Sequence, residues 1–239
     1  MRQLHPTYDE KVDPIVAYRY PNDRPWLRAN MVSSLDGSAV RDGRSEGLSS
    51  AADKEVFGVL RGLADVVLVG AGTARTEGYR ALRPKEAYAG VRASLGQRPA
   101  PVLALVSGRL DLDPASQLFH GGGERTVVIT HASTDAEARD RLAAVADVVV
   151  AGDDAVDLAA ALDALAERGL SRVLCEGGPS LLAAVAAAGR LDELCLTLAP
   201  QLVAGDGPRV VTGPALGLSL SLAHLLEQDS VLLSRYVAG

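Results

Sequence analysis

A glycine-rich turn follows the apolar run VVLVG at 66–70, where Gly70 and Gly72 stand beside Thr73. Glycines directly after a strand remove side chains where the backbone turns tightly, and they let amide groups approach an anion such as a phosphate. Arg75 occupies the place of the third glycine in a G-x-G-x-x-G fingerprint, which disfavours a Rossmann site. The segment alone predicts either an anion-binding turn or a turn that serves only the backbone.

A second glycine-rich turn follows the apolar run at 172–176 and opens a helical stretch. Gly177 and Gly178 expose backbone amides, Pro179 suits a first helical turn, and Ser180 adds a hydroxyl. Two such turns at the carboxyl ends of strands in one sheet would form a cleft for an extended phosphorylated ligand. Together the two turns favour a nucleotide site.

A polar segment around Asp36 and Gly37 contains a third set of candidate residues. Asp-Gly is typical of a tight turn, and Asp36 is a candidate proton donor by its position alone. Ser49 and Ser50 stand where a helix N-cap is needed. Arg61 falls in the last turn of that helix, where it could complement the helix dipole or bind an anion.

The other reactive side chains exclude several classes of enzyme. None of the four histidines has a second His, Cys or acidic residue at the spacing of a metal site or a nucleophile pair, so we predict no metal centre. The sequence contains no G-x-S-x-G, no P-loop and no zinc-deaminase signature. Few acid–base groups remain, so we expect a cofactor to carry the reaction while the protein orients it.

The charge balance and the apolar runs indicate the partners and the compartment. The 24 basic and 30 acidic residues give a net charge of −6, so no general field attracts nucleic acid or anionic lipid. No apolar run approaches the roughly 18 residues of a membrane span, and no secretory h-region is present. Cys175 and Cys195 lie in apolar runs, where buried free thiols are expected. We therefore predict a soluble, cytoplasmic protein with a small-molecule ligand.

The elements that must position these turns alternate along the chain. Runs that are apolar on both faces predict strands buried between two helical layers, at 27–32, 66–70, 102–106, 126–130, 148–151 and 172–176. Helical runs lie between them at 50–64, 135–146, 155–168 and 179–189. This order predicts an α/β fold with a mostly parallel sheet and helices on both faces. Further β-rich runs at 194–200, 209–212, 218–223 and 230–238 leave no room for helices, so we expect a mixed sheet whose last strands are partly antiparallel.

The chain shows no linker, repeat or charge block that would divide it. Residues 1–25 are rich in proline and tyrosine, and we expect an irregular arm that packs on the body through its aromatic rings. Residues 26–239 are predicted to form a single domain. The weakly patterned stretch at 77–100 fits a surface loop with a short helical piece.

Five sequence blocks, taken in order, resemble the riboflavin-biosynthesis pyrimidine reductase family. They are SLDG at 34–37, the helix start at Ser49 and Ser50, LRGLADVVLVGAGTARTEGY at 60–79, EGGPSLL at 176–182 and DELCLTLAPQLV at 192–203. The resemblance implies a dihydrofolate reductase-like, three-layer α/β domain that forms a homodimer. It also implies NADPH-dependent reduction of a phosphoribosylamino-pyrimidine, of the 5-amino-6-(5-phosphoribosylamino)uracil type, by hydride transfer to the ribosyl carbon C1′.

The same resemblance assigns ligand-binding residues. The implied cofactor-binding set is Val32, Gly47, Gly70, Ala71, Gly72, Thr73, Glu77, Ser107, Gly177, Gly178, Pro179, Ser180, Leu181, Leu182, Ala183 and Ala184. The implied substrate-binding set is Ser45, Arg61, Arg83 and Glu176. A guanidinium binds an anion through two hydrogen bonds, which suits Arg61 to a phosphate or substrate contact.

Two departures from the family pattern alter the predicted ligand space. Glu77-Gly78-Tyr79 stands where the bifunctional enzymes typically have Asp-Asp-Pro, and Gly47 stands where they often have tryptophan. These changes keep open a stand-alone reductase of dihydrofolate or another pteridine. The shortage of acid–base groups also keeps open a nucleotide-binding module without turnover.

Overall fold

The computed structural model describes residues 1–21 and 23–239 and contains a single mixed sheet. The strands within these residues are β1 (Arg2–His5), β2 (Trp26–Ser34), β3 (Val66–Gly70), β4 (Val102–Val106), β5 (Val127–Thr130), β6 (Asp147–Val150), β7 (Arg172–Cys175), β8 (Glu193–Ala199), β9 (Leu220–Gln228) and β10 (Val231–Ala238). The α-helices are α1 (Pro14–Ala17), α2 (Ala51–Leu63), α3 (Ala71–Thr76), α4 (Glu86–Ser94), α5 (Ala136–Ala143), α6 (Leu158–Glu167) and α7 (Pro179–Ala187).

The strand order is β1-β9-β10-β8-β2-β7-β3-β4-β5-β6. All pairs from β8 to β6 in this order are parallel. The pairs β8–β10, β10–β9 and β9–β1 are antiparallel. The predicted mixed, mostly parallel sheet with an antiparallel end is therefore confirmed.

Helices cover both faces of the parallel part, and β3 illustrates why its sequence is apolar throughout. Val67 and Val69 pack into a core that contains residues of α2, α3 and α5. Val66 and Leu68 point to the opposite face and pack with α6 and α7. A strand between two helical layers has no wet face, which confirms the interpretation of these runs.

The arm contains more regular structure than its sequence predicts. β1 pairs with β9 at the edge of the sheet, and the single-turn helix α1 is capped by Asp13, whose carboxylate accepts a hydrogen bond from the Ile15 amide at 2.8 Å. Tyr18 and Tyr20 are buried against the α2 side of the core, as expected for the packing of the arm.

One segment of the body differs from prediction, and another agrees with it. Residues 209–212 form no strand, because this segment lies across the start of α7, where the Thr212 amide donates to the Pro179 carbonyl at 3.2 Å. The stretch 77–100 contains α4, the short helical piece that the sequence predicts, and α4 packs on α2 through Tyr88. A Cβ at Gly58 or Gly62 of α2 would come within 3.0 Å of the Tyr88 ring or hydroxyl, so these glycines permit the close approach.

Candidate active site

An open cleft of about 1180 Å³ lies where β2, β7 and β3 end. One wall is a face of α2 that presents Asp53, Phe57 and Arg61 at intervals of four residues. The opposite side contains the turns that follow β3 and β7. Ligands of open α/β sheets bind at the carboxyl ends of the strands, so this cleft is the candidate active site.

The two glycine-rich turns lie in direct contact, because β3 and β7 are parallel neighbours. The Gly70 amide donates to the Gly177 carbonyl at 2.8 Å. A Cβ at Gly178 would come within 3.0 Å of the Thr73 hydroxyl oxygen, so a side chain at 178 does not fit. Gly178 is the N-cap of α7, and no side chain caps this helix within the described chain, which leaves first-turn amides for a ligand or solvent.

Arg61 and Glu176 join α2 to the end of β7 across the floor of the cleft. The Arg61 Nε donates to Glu176 Oε1 at 2.7 Å, and its terminal nitrogen donates to Oε2 at 2.7 Å. The Glu176 side chain is only 2% exposed. This bidentate contact occupies one edge of the guanidinium and leaves its other terminal nitrogen to contact a ligand.

Two aromatic rings hold this ion pair in place. The Arg61 guanidinium carbon lies 4.3 Å from the Phe57 ring centre and 5.3 Å from that of Tyr79. The Tyr79 hydroxyl donates to Glu176 Oε2 at 2.6 Å. Burial and the neighbouring Glu176 carboxylate raise the pKa of Tyr79 well above its ordinary value, so the phenol stays protonated. Burial opposes the charged form of Arg61, but the Glu176 carboxylate outweighs it and raises the Arg61 pKa.

Glu77 connects the end of α3 to the segment that borders the cleft beside β2. Its Oε1 accepts a hydrogen bond from the Ser45 amide at 3.0 Å, and both residues line the cleft. The sequence resemblance assigns Glu77 to cofactor binding and Ser45 to substrate binding, and the structure brings the two residues into contact.

Exposed basic side chains border the outer part of the cleft. Arg80, Arg83 and Lys85 line it, and Arg83 Nε donates to the Gly121 carbonyl at 2.7 Å. The terminal nitrogens of Arg83 have no hydrogen-bond acceptor among the described residues, so they are free for an anion. The buried Arg92 has a different use, because its Nη1 donates to the carbonyls of Gly62 and Ala64 at the end of α2.

The structure brings ten of the predicted ligand-binding residues into the lining of this cleft. They are Val32, Ser45, Arg61, Gly72, Thr73, Glu77, Arg83, Glu176, Gly178 and Pro179. The other ten lie outside the lining: Gly47, Gly70, Ala71, Ser107, Gly177, Ser180, Leu181, Leu182, Ala183 and Ala184. Leu181, Leu182 and Ala183 pack their side chains in the core, so only their backbone could contact a cofactor.

The structure gives Asp36, the candidate proton donor, a structural role. Asp36 does not line the cleft. Its carboxylate accepts hydrogen bonds from the Ser34 hydroxyl at 2.5 Å and from the amides of Ala204 and Val203 at 2.6 and 3.2 Å. These contacts lower the pKa of Asp36 to about 2, so its carboxyl group is ionised at neutral pH.

Sequence reasoning missed several residues of the site. Phe57, Asp53 and Tyr88 line the cleft, and the phenol of Tyr79 was noted only as a departure from a family pattern. The helical spacing of residues 53, 57 and 61 was the available signal, because these positions share one helix face. Ser50 is the N-cap of α2, as predicted, since its side chain accepts a hydrogen bond from the Asp53 amide.

Within residues 1–21 and 23–239, no group of three or more His, Cys, Asp or Glu side chains is arranged to hold a metal ion. Over the same residues, no helix has both the length and the apolar character to cross a membrane. Cys175 and Cys195 are free and buried, as predicted.

Fold and cleft together define an α/β protein with a candidate ligand site at the carboxyl edge of a parallel sheet. Residues 25–233 match the family described as the RibD C-terminal domain. The chain belongs to this family, which confirms the resemblance drawn from the sequence blocks. A 2,5-diamino-6-ribosylamino-4(3H)-pyrimidinone 5′-phosphate reductase from Archaeoglobus fulgidus is 26% identical over 192 residues, which cover 80% of this chain and 87% of that protein.

Two solved structures have a fold similar to that of this chain. A pyrimidine reductase-like protein from Corynebacterium diphtheriae superposes with a TM-score of 0.81 at 31% identity, covering 90% of this chain and 92% of that one. RibD from Acinetobacter baumannii superposes with a TM-score of 0.70 at 18% identity, covering 90% of this chain and 58% of that one. The second likeness concerns the fold alone.

Proposed function

We propose that this protein is an NADPH-dependent reductase of a phosphoribosylamino-pyrimidine in riboflavin biosynthesis. The observation that carries the proposal is the contact between the two glycine-rich turns, which lie beside the Arg61–Glu176 pair in one cleft. The names of the related reductases support the substrate class. When bound, NADPH supplies the hydride that reduces the ribosyl carbon C1′.

The residues of the two turns fit a dinucleotide. Gly178 leaves the backbone bare where a Cβ would meet Thr73, and the uncapped start of α7 offers amides and the positive end of a helix dipole to a diphosphate. Gly70, Ala71 and Gly72 provide the facing backbone. Ser107 lies at the end of β4, the next strand along, where its hydroxyl accepts a hydrogen bond from the Leu110 amide at 3.0 Å.

The substrate would then lie against α2 and the end of β7. Oε1 of Glu176 can accept a further hydrogen bond, and one terminal nitrogen of Arg61 makes none to Glu176. The pair therefore offers a ligand an acceptor and a donor side by side. Phe57 and Tyr79 fix the orientation of that pair, which is the positioning that a hydride transfer requires. Arg83, together with Arg80 and Lys85, would bind the substrate phosphate at the outer end.

The direct test is oxidation of NADPH, followed at the nicotinamide absorption band, with a phosphoribosylamino-pyrimidine as substrate. We expect turnover, and a much lower kcat/KM with the dephosphorylated substrate, because the basic side chains then lose their anion. Absence of NADPH oxidation at high enzyme concentration would refute the proposal. Binding of NADPH without turnover of any substrate would identify a nucleotide-binding module instead.

A second candidate function is the reduction of dihydrofolate or another pteridine. The phenol of Tyr79 favours it, because this ring and its hydroxyl occupy cleft space at a position where the bifunctional enzymes typically have proline. The same assay with dihydrofolate decides between the two. The first proposal requires a much lower kcat/KM for dihydrofolate than for the pyrimidine.

We also propose that the protein is a homodimer. Support comes from β8, where Leu194, Leu196 and Leu198 alternate with buried residues and remain only half-buried. A strand face with three such leucines is typical of a surface that a second subunit covers. Light scattering on the purified protein measures the mass directly, and a monomer at micromolar concentration would contradict this proposal.

A further inference from the structure

Arg92 is a buried cation in the wall of the cleft that the proposed function does not use. It lies on α4, is 3% exposed and lines the cleft. Within the described residues, all the hydrogen bonds of its side chain go to backbone carbonyls and none goes to a carboxylate. Burying a charge is costly unless the charge is paired. The surroundings of Arg92 therefore indicate what it could bind.

The three nitrogens of the Arg92 guanidinium have different partners. Nε donates to the Arg98 carbonyl at 2.7 Å, and Nη1 donates to the carbonyls of Gly62 and Ala64 at 3.1 and 2.7 Å. Nη2 is buried and has no hydrogen-bond partner among the described residues. A buried donor that stays unpaired lowers stability, so an acceptor at Nη2 would be favourable.

A second buried arginine of the same cleft shows what Arg92 lacks. Arg61 forms two hydrogen bonds with Glu176, and that carboxylate raises the pKa of Arg61. Burial lowers the pKa of Arg92, and the carboxylates of Asp65 and Glu124 offset this effect only in part. Arg61 thus has its anion within the protein, whereas the described chain supplies no such anion to Arg92.

The cleft continues between the end of α2 and α4, next to Arg92. Tyr88 lies one turn before Arg92 on α4, and its ring packs so closely on α2 that a Cβ at Gly62 would come within 3.0 Å of it. Pro99 follows Arg98, whose carbonyl Arg92 binds. We call this part of the cleft the α4 branch, and its lining is mostly carbon: Gly62, Leu82, Tyr88, Arg92, Pro99 and Pro101.

We propose that the α4 branch binds an organic monocarboxylate. Its carboxylate accepts hydrogen bonds from Arg92 Nη2, and its apolar body lies against Tyr88 and Pro99. A phosphoribosylamino-pyrimidine carries a phosphate and no carboxylate, so the branch takes a different compound from the substrate proposed above. The inference therefore goes beyond the proposed function and does not depend on it.

The charges around the branch favour a monoanion over a phosphate. Arg92 supplies one positive charge, and it lies against the carbonyls of Gly62 and Ala64, which form the negative end of the α2 dipole. A phosphate monoester carries a charge of about −1.5 to −2 at neutral pH, which would leave excess negative charge beside that helix end. A carboxylate balances the single guanidinium.

The test compares a carboxylate with its neutral amide, cyclohexanecarboxylate with cyclohexanecarboxamide. Ligand-observed NMR titrations of the full chain at constant ionic strength give both Kd values. We expect the carboxylate to bind at least about tenfold more tightly, because only the carboxylate forms a charge-assisted bond with Nη2. Equal Kd values would overturn the inference. Displacement of the carboxylate by equimolar inorganic phosphate would overturn the choice of a monocarboxylate.

Three variants locate the bound carboxylate. Arg92→Met should abolish the preference for the carboxylate. Arg98→Met is the matched control, because it removes the same charge from the neighbouring segment while Arg98 is exposed and does not line the cleft. Its Kd should equal that of wild type. Arg83→Ala should also leave the Kd unchanged, and a loss of binding there with none in Arg92→Met would place the carboxylate on the exposed basic border and overturn the inference.

A purely structural role for Arg92, tying α4 to the end of α2, predicts a different result. Arg92→Met would then lose stability, but wild-type protein would show no preference for the carboxylate. If Arg92→Met does not fold, a crystal structure of wild-type protein with cyclohexanecarboxylate makes the same test. We expect a carboxylate oxygen within hydrogen-bond distance of Nη2. A water that joins Nη2 to Gln97 Oε1, a buried acceptor that also lacks a partner among the described residues, would overturn the inference if it occupied that place instead.

Discussion

Replacing Gly178 with alanine should weaken NADPH binding through one added methyl group. Gly178 has φ −71° and ψ −171°, a combination that is open to alanine, so these two torsion angles add no strain. The new Cβ would come within 3.0 Å of the Thr73 hydroxyl oxygen, closer than real contacts allow. Either Thr73 changes rotamer or the two turns separate. Overpacking of this kind costs about 1–3 kcal/mol in stability.

The effect on the cofactor should be larger than a general loss of stability explains. The Cβ fills the space in which first-turn amides of α7 would meet a diphosphate, and a lost hydrogen bond to a charged group costs about 1.5–3 kcal/mol. The Kd for NADPH should therefore rise about 10- to 100-fold. Calorimetric titration gives the Kd, and urea unfolding gives the free energy of unfolding.

Two further variants separate the causes. Thr73→Ala removes the clashing hydroxyl, so the G178A/T73A protein should regain stability while its NADPH affinity stays low. Gly72→Ala places a Cβ with nothing within 4 Å in the neighbouring turn, so its stability should not fall. If G178A binds NADPH as tightly as wild type, the diphosphate does not lie at this turn and the cofactor placement is wrong.

Three other perturbations follow from the contacts. Tyr79→Phe removes the hydrogen bond to Glu176 and should lower the free energy of unfolding by about 1–2 kcal/mol in urea titrations. In a Glu176→Ala background, which has no side-chain acceptor, the same change should have no effect if the bond is the cause. Arg61→Ala leaves Glu176 buried without its cation and should lower the free energy of unfolding by about 3 kcal/mol. Arg83→Ala should change the free energy of unfolding by less than about 0.5 kcal/mol and raise KM for the phosphorylated substrate. Equal stability losses in the two variants would contradict the difference between the two arginines. Burial and the nearby Arg235 guanidinium lower the pKa of His224 from 6.5 to about 4. Between these pH values the unfolded chain binds a proton at His224 that the folded chain does not bind. The free energy of unfolding should therefore fall by about 3 kcal/mol as the pH drops from 6.5 to 4. His224→Phe, which keeps the aromatic contact with Tyr18, should remove that part of the pH dependence, and an unchanged slope in urea unfolding would count against it.

The sequence predicts well those features that depend on local pattern. Strands that are apolar on both faces indicate a sheet between helical layers, and parallel strands bring their carboxyl ends to one edge. For this reason the contact between the turns after β3 and β7 could be anticipated. By contrast, the segment 209–212 has the composition of a strand but pairs with no strand among the described residues. Pairing is a property of the whole sheet, and here the backbone of Thr212 bonds to the start of α7 instead.

The Arg61–Glu176–Tyr79 cluster marks the limit of sequence reasoning about the site. Each residue could be picked out singly, Arg61 as a possible anion ligand and Glu176 as a substrate contact. Their mutual distances depend on how α2 packs on β7, which no local pattern encodes. Two of the Arg61 nitrogens donate hydrogen bonds to Glu176, so a substrate phosphate must compete with a buried carboxylate for this guanidinium. Arg83 faces no such competition among the described residues, since only its Nε is bonded, to the Gly121 carbonyl. We therefore propose that the substrate phosphate binds at Arg83, and that Arg61 and Glu176 contact the sugar or the ring.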